Sequence, residues 1–261
     1  MVHVTTTDRR SALRAGVGIA AAGALGSGCA APGAAAHPAA APPTTAKPHP
    51  PHTPLAAHRF AGQPAQITHG PRTRPQVALT FHGQGAPAIA RSLLDEAEKG
   101  GARVTVLAVG SWLDEHPEMA RRILDGGHDL GNHTLRHLDI NAMSEADANA
   151  EIRGCAERLR RLTGSVGTWF RPSRSPRASP LVERLARRAG YPHVLSYDVD
   201  SLDFTSPGAS AITRKVGGEV RNGSVVSLHF GYADTVAALP AVLEELDRRG
   251  LRAVTTTELL S

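Results

Sequence analysis

Segments with strand character and segments with helix character alternate regularly along the chain from Val77 to Val254. Residues 77–81 form a compact β run, residues 88–99 show helical spacing, and residues 104–109 form the continuous apolar run typical of a buried parallel strand. Strands separated by helical crossovers predict a parallel sheet with helices packed on its faces. We therefore predict a single α/β domain of about seven parallel strands, arranged as a distorted (β/α) barrel or, alternatively, as an open doubly wound sheet.

Residues that favour helix ends define several of these units. Ser111 is expected to cap a helix that reaches about residue 124. Ser144 and Asp147 form the pattern of a capping box, and Ser179 followed by Pro180 predicts another helix start. Further strands are predicted at residues 167–170, 193–197, 224–228 and 251–254, and further helices near residues 208–220 and 233–249.

The first 57 residues have a different composition from the rest of the chain. Residues 1–29 contain Arg9-Arg10, a mildly apolar Ala/Gly run and a lipobox-like end at Cys29, which is the pattern of a twin-arginine-type export signal. Residues 30–57 are rich in Pro and Ala and read as a linker, which leaves residues 58–261 as the folded domain. We expect an exported protein of the cell envelope, anchored to the membrane as a lipoprotein facing outside; free secretion is the alternative.

The chain of 261 residues carries a formal net charge of +5. Such an excess can indicate an anionic partner such as a cell-wall polymer or a nucleic acid. Part of the excess comes from the N-terminal segment, however, and the Arg-Arg pairs elsewhere fall on expected helix faces. We therefore interpret the charge as a solvated surface and expect no nucleic-acid partner.

Polar segments follow several of the predicted strands. His133 and His137 are four residues apart, and on one face of a helical turn their rings could converge on one metal ion. The other polar segments are His82-Gly83-Gln84-Gly85, Arg171-Pro172-Ser173-Arg174, Asp198 to Phe204, and His229-Phe230-Gly231. Because the carboxyl ends of parallel strands meet at one face, this pattern indicates an active site assembled from loops.

The order and spacing of these segments resemble the polysaccharide deacetylases, a carbohydrate esterase family with a NodB-like domain. The matching segments are Thr80-Phe81-His82-Gly83-Gln84, His133-Thr134-Leu135-Arg136-His137, Arg171-Pro172-Ser173, Asp200-Ser201-Leu202-Asp203-Phe204 and Leu228-His229. The resemblance covers the chain from about Val77 to Leu260, and its most specific part is the histidine pair together with Leu228-His229.

The resemblance implies metal-assisted hydrolysis of acetyl groups on amino-sugar polysaccharides. It makes His133 and His137 ligands of a divalent ion, zinc in this family, and His229 the general acid. It makes Arg171 and Asp203 a supporting charge pair. The implied partner is an acetylated glycan; the membrane is expected to be contacted only through the lipid anchor, and the oligomeric state is not indicated.

The opening motif departs from the family pattern, which has Asp-Asp where this chain has His82-Gly83. In one interpretation His82 is the third metal ligand, and this is the one we favour. In a second, His82 is the general base, and an oxygen donor such as Asp129, Asp139 or Asp200 completes the metal site. In a third, the site is degenerate and the domain binds envelope glycan without catalysis. A transport receptor is a weaker alternative, because the motifs match an enzyme family.

Overall fold

The computed structural model describes residues 59–261, which all lie in one compact unit, His49–Ser261. The expected export signal, the linker and their boundaries lie outside the described residues. Within the described part of the chain, no helix combines the length and apolar character needed to cross a membrane.

The centre of the fold is a curved sheet in which the strand pairs are parallel. The strands are β1 Gln66–Ile67, β2 Gln76–Gly83, β3 Thr105–Ala108, β4 Asp129–Asn132, β5 Val194–Leu195, β6 Val199–Asp200, β7 Val225–His229 and β8 Arg252–Val254. The main sheet runs β6-β7-β2-β3-β4, and β8 pairs with the first residues of β2. Phe170 bridges β4 to β5, which pairs with β1. The predicted α/β fold with parallel strands is confirmed.

Helices cover the outside of this sheet. They are α1 Pro87–Lys99, α2 Gly110–Glu115, α3 Glu118–Asp125, α4 Glu145–Thr163, α5 Pro180–Arg188, α6 Ala209–Glu219, α7 Ala233–Arg248 and α8 Thr256–Leu260, with 3-10 turns at Ile140–Ala142 and Asp203–Thr205. The capping predictions at α4 and α5 are confirmed, because Ser144 accepts the N–H of Asp147 and Ser179 accepts that of Val182.

Two local expectations are wrong. The single helix expected from Ser111 to about residue 124 is two helices, because α2 ends before His116 and Pro117 precedes α3. Its N-cap is Val109, and Ser111 lies inside the first turn of α2. The strand expected at residues 167–170 is reduced to isolated bridges at Phe170.

The alternation of side chains along β2 positions the site. Val77, Leu79 and Phe81 belong to the large cluster beneath the helices, whereas Ala78 packs with a second, inner cluster that contains Trp169. Since successive side chains of a strand point to opposite faces, Thr80 and His82 share the inner face with Ala78. His82 therefore emerges at the carboxyl end of β2 inside the curve of the sheet.

Candidate active site

The pocket at the carboxyl ends of the strands has a volume of about 360 Å³. It is lined by residues from most of the predicted segments: His82, Gln84, His137, Arg174, Ser175, Pro176, Tyr197, Asp200, Phe204, Ser227, His229 and Tyr232. His82 and His229 are register partners on the adjacent strands β2 and β7. His133 and Arg171 are fully buried behind the pocket wall.

A continuous hydrogen-bonded chain runs through four of the predicted site residues. Nη1 of Arg171 lies 3.2 Å from Nε2 of His82, and Nδ1 of His82 lies 2.7 Å from Nε2 of His229. Nδ1 of His229 lies 2.7 Å from Oδ1 of Asp203. Arginine can only donate, so Nε2 of His82 accepts and its Nδ1 carries the proton. His229 then accepts at Nε2 and donates from Nδ1 to the carboxylate.

Arg171 is a buried cation without a carboxylate partner among the described residues. Its guanidinium donates to Oγ1 of Thr80 at 2.8 Å and to the carbonyls of Ser196 and Leu195 at 3.0 and 3.1 Å. Burial lowers the pKa of Arg171 to about 10, which leaves it charged at neutral pH. This charge orients His82 from behind.

Asp203 is fully buried, and His229 is the one histidine among the described residues that hydrogen-bonds to its carboxylate. Its Oδ2 accepts the backbone N–H of His229 at 2.8 Å and the hydroxyl of Thr235 at 2.7 Å, while Oδ1 takes the ring N–H. The direct Arg171–Asp203 charge pair expected from the resemblance is therefore wrong. The two residues lie at opposite ends of the chain through His82 and His229.

The segment from His133 to His137 is an irregular loop after β4, and the expected helical turn is wrong. Thr134 and His137 have φ values of 68° and 56°, in the left-handed region. The loop is held because Thr134 donates its N–H to Oδ1 of Asn132, and because the carbonyls of Thr134 and Leu135 accept N–H groups from the first turn of α2. The rings of His133 and His137 nevertheless lie 4.8 Å apart between centroids.

The sequence comparisons identify the family. The sequence profile of the family described as polysaccharide deacetylase matches residues 69–194. The chain is 31% identical over 194 residues to a peptidoglycan-N-acetylglucosamine deacetylase of Bacillus cereus, covering 73% of this chain and 90% of that protein.

The chain belongs to the polysaccharide deacetylase family.

The predicted family and enzyme class, the carbohydrate deacetylases acting on C–N amide bonds, are thereby confirmed. A chitooligosaccharide deacetylase of Sinorhizobium fredii is 30% identical, covering 67% of this chain and 87% of that protein.

Solved structures of polysaccharide deacetylases share the fold. A crystal structure of a peptidoglycan N-acetylglucosamine deacetylase superposes with a TM-score of 0.70 at 26% identity, covering 75% of this chain and 92% of the other. A carbohydrate esterase family 4 pseudoenzyme from Bacillus anthracis superposes with a TM-score of 0.72 at 23% identity, covering 76% of this chain and 70% of the other. The second likeness shows the common fold alone.

The metal that the polysaccharide deacetylase family implies can be tested against the donors present. Nδ1 of His133 lies 3.0 Å from the carbonyl of Arg171, so Nδ1 carries the proton. Nε2 of His133 then presents a lone pair that is buried and has no hydrogen-bond partner among the described residues. A histidine that donates one ring N–H to a carbonyl and leaves the other nitrogen open is the usual form of a metal ligand. His133 with His137 thus fits a divalent ion.

The third metal ligand expected from the sequence, His82, is already occupied by hydrogen bonds. Both ring nitrogens of His82 take part in hydrogen bonds, so coordination by His82 would require one of them to open. Asp129 lies away from the pocket and accepts from Trp169 and Thr257. Among residues 59–261 there is no group of three or more His, Cys, Asp or Glu arranged to hold one ion. The fit is that of a two-histidine site.

Burial sets the protonation of these rings. It lowers the pKa of His82 and of His133 well below 6.5 and also lowers the pKa of His137. The three imidazoles are therefore neutral at neutral pH, which is the form that binds metal ions.

Several lining residues were not anticipated. Tyr197, Ser227 and Tyr232 line the pocket but were not predicted as site residues. The period of two along β7 would have pointed to Ser227, because it lies on the same face as His229. No comparable signal marked the two tyrosines, which reach the pocket through the loops before β6 and after β7.

Proposed function

We propose that this polysaccharide deacetylase is an exported hydrolase that removes acetyl groups from the amino sugars of an acetylated glycan, of the cell-wall or chitin-like class. The proposal rests on one observation above all. The open lone pair of His133 and the oriented His229–Asp203 pair lie at the same strand ends, in a chain similar to a peptidoglycan-N-acetylglucosamine deacetylase. Phe204 supports a sugar substrate, because this residue is 44% exposed, lines the pocket and places its ring beside His229.

The chemistry is divided between an ion and the side chains. A zinc ion held by His133 and His137 would supply polarisation of the acetyl carbonyl and a lowered pKa of bound water. Asp203 holds His229 with its proton on Nδ1, which leaves the lone pair on Nε2. When the bond from His82 opens, Nε2 of His229 is able to take up a proton from the attacking water and deliver it to the sugar nitrogen as the amide C–N bond breaks. Arg171 orients His82 and so controls that bond.

The test combines zinc content with acetate release from an N-acetylated chitooligosaccharide. We expect bound zinc and acetate release in the natural chain, loss of both in His133→Ala, and a comparable loss of zinc in His82→Ala if His82 is a ligand. His116→Ala, which changes a histidine outside the pocket, should behave as the natural chain. A folded protein with neither bound zinc nor acetate release would overturn the proposal.

A glycan-binding domain without catalysis is a second candidate. It is favoured by one specific observation, the engagement of both nitrogens of His82 at the position where the family carries its first aspartate. For such a domain, affinity for the chitooligosaccharide would survive His133→Ala while the natural chain releases no acetate. Loss of turnover in His133→Ala from a measurable starting rate would instead exclude it.

We also propose that the chain is exported by the twin-arginine route and anchored through lipid on Cys29. The support is the sequence pattern of residues 1–29. In Cys29→Ser the protein should move from the membrane fraction to the soluble fraction. An unchanged distribution would reject the lipid anchor and leave the deacetylase proposal intact.

A further inference from the structure

A basic cavity lies at the opposite end of the strands from the active site. It has a volume of about 550 Å³ and is lined by His69, Arg72, Arg221, Asn222, Arg249 and Leu251. These residues precede β2, β7 and β8, so the cavity lies at the amino ends of the strands. Three guanidinium groups and an imidazole surround it, and no carboxylate lines it.

Two of the three arginines are held by backbone carbonyls of the segment 217–224, which contains the end of α6 and the turn into β7. Arg72 donates from Nη1 to the carbonyl of Asn222 at 2.7 Å and from Nη2 to Asp198 at 2.7 Å. Arg249 donates to the carbonyls of Gly217 and Val220. Each guanidinium has five N–H donors, so both retain donors beyond these bonds. The positions of the two charges are therefore set before any ligand arrives.

Arg221 differs from these two arginines. Its side chain is exposed at the rim and makes no hydrogen bond or ion pair with the other described residues. Asp198 neutralises Arg72 from beneath, and Glu245 is bonded to Arg248. The Arg221 guanidinium therefore stabilises no contact within the described fold. It is free to bind a ligand that enters the cavity.

We propose that this basic pocket binds a phosphoryl group. Guanidinium forks recognise carboxylates and phosphates alike, but a carboxylate offers two oxygens in one plane. Three guanidinium groups and His69 placed around one cavity favour an anion with more acceptors, directed to several sides. A tetrahedral phosphate meets that requirement, whether it is carried by a soluble polymer or by a lipid headgroup. This site does not depend on the proposed deacetylase activity.

The test is calorimetric titration of the full chain with pyrophosphate, with citrate as the carboxylate competitor. We expect saturable binding of pyrophosphate that weakens as salt is added. Arg221→Gln should weaken it by at least about tenfold through loss of one charge-assisted hydrogen bond. Arg121→Gln is the matched control, because Arg121 is an exposed arginine of α3 outside this cavity.

A second arm identifies the source of the phosphate. Vesicles of phosphatidylcholine with and without phosphatidylglycerol are mixed with the full chain and sedimented. Binding to the anionic vesicles that falls in Arg221→Gln supports a lipid headgroup, whereas pyrophosphate binding without this vesicle effect supports a soluble or polymer phosphate. The proposal is overturned if neither probe depends on Arg221, or if citrate binds as tightly as pyrophosphate. Acetate release by Arg221→Gln should be unchanged. A failure of the phosphate proposal is therefore distinguishable from a failure of the deacetylase proposal.

Discussion

The predicted match to the opening motif of the polysaccharide deacetylases assigns His82 to the place of the first aspartate, and His82 accepts a hydrogen bond from Arg171 at 3.2 Å. A neutral imidazole satisfies the donor geometry of the arginine but supplies no negative charge. The hydrogen-bond partners of the buried cation among the described residues are therefore all neutral: the His82 imidazole, the Thr80 hydroxyl and the carbonyls of Leu195 and Ser196. At the scale of the single residue, a neutral imidazole at position 82 leaves the Arg171 guanidinium without a negatively charged hydrogen-bond partner among the described residues.

His82→Asp should raise the rate of acetate release by at least about tenfold, because an ionised carboxylate beside Arg171 acts as a general base and leaves Nε2 of His229 unoccupied. The measurement is acetate release from the chitooligosaccharide with zinc present. His82→Asn is the matched control, since it has the shape of aspartate without the charge and should give no rise. Equal rates in the two variants would contradict the role assigned to the charge.

Asp203→Asn should lower kcat by at least about 100-fold, because an amide nitrogen turned towards His229 no longer favours the proton on Nδ1. The steady-state rate and the melting temperature are measured together. Thr235→Val removes another hydrogen bond to the same carboxylate and leaves the imidazole untouched. If Thr235→Val loses as much activity as Asp203→Asn, the loss of activity is caused by disturbed packing around the carboxylate and not by a change in the orientation of His229.

At the scale of elements, a buried histidine links the turn between α3 and β4 to the start of β3 and to α1. Nδ1 of His128 accepts the N–H of Val104 at 3.1 Å, and its Nε2 lies 3.1 Å from Oε1 of Glu98. Burial lowers the pKa of His128 below its ordinary value of 6.5. Protonation would require a donor at Nδ1 and would break the bond to Val104.

His128 should make the fold less stable in acid. Its pKa is lower in the folded chain than in the unfolded chain, so the unfolded chain binds more protons between the two values. The stability it contributes is fully present above about pH 6.5 and is lost as the pH falls towards the folded pKa. Chemical denaturation is measured at pH values from 7.5 to 5. The free energy of unfolding should fall less over this range in His128→Gln than in the natural chain. Parallel curves for the two proteins would refute this role.

Most of the helices and strands could be predicted from the sequence. The apolar run at β3, the capping serines of α4 and α5 and the alternation of strand and helix are local signals, and the corresponding elements are present. The break between α2 and α3 also has a local signal, because Pro117 favours a new helix start over the continuation of α2. The left-handed residues of the 133–137 loop could not be predicted, because they depend on contacts with α2.

For the candidate site, the sequence predicts the residues but not the contacts between them. Motif order located His82, Arg171, Asp203 and His229, which the structure joins in one hydrogen-bonded chain. Which of them contact each other could not be read from the sequence, since His82 and His229 are 147 positions apart. The Arg171–Asp203 pair is implied by the resemblance, whereas the register of β2 with β7 places His82 beside His229.

At the scale of the whole molecule, the amino-terminal end of the described chain is part of the core. Phe60 stacks on Trp169 with ring centroids 5.2 Å apart and planes 8° apart, and its backbone N–H bonds to His193. Trp169 belongs to the inner cluster of the sheet. The fold therefore depends on residues that lie close to the predicted end of the linker.

Deletion of residues 1–57 should leave the melting temperature unchanged, whereas deletion of residues 1–62 should lower it clearly. Removing a buried phenylalanine costs about 3–5 kcal/mol, which is a large part of the stability of a domain. Phe60→Leu in the shorter deletion is the control for side-chain volume and should have an intermediate effect. A melting temperature that falls already with the first deletion would move the domain boundary towards the amino terminus.

The hydrogen-bonded chain from Arg171 to Asp203 also makes the site observable in solution. The ring protons on Nδ1 of His82 and on Nδ1 of His229 each have a close acceptor, at 2.7 Å in both cases. Protons shared in this way resonate downfield in a proton NMR spectrum and exchange slowly with water. A ligand that opens the bond between the two rings would remove the His82 signal and keep the His229 signal. The resting molecule thus gives a spectroscopic signal that reports whether Nε2 of His229, the proposed general acid, is hydrogen-bonded to His82.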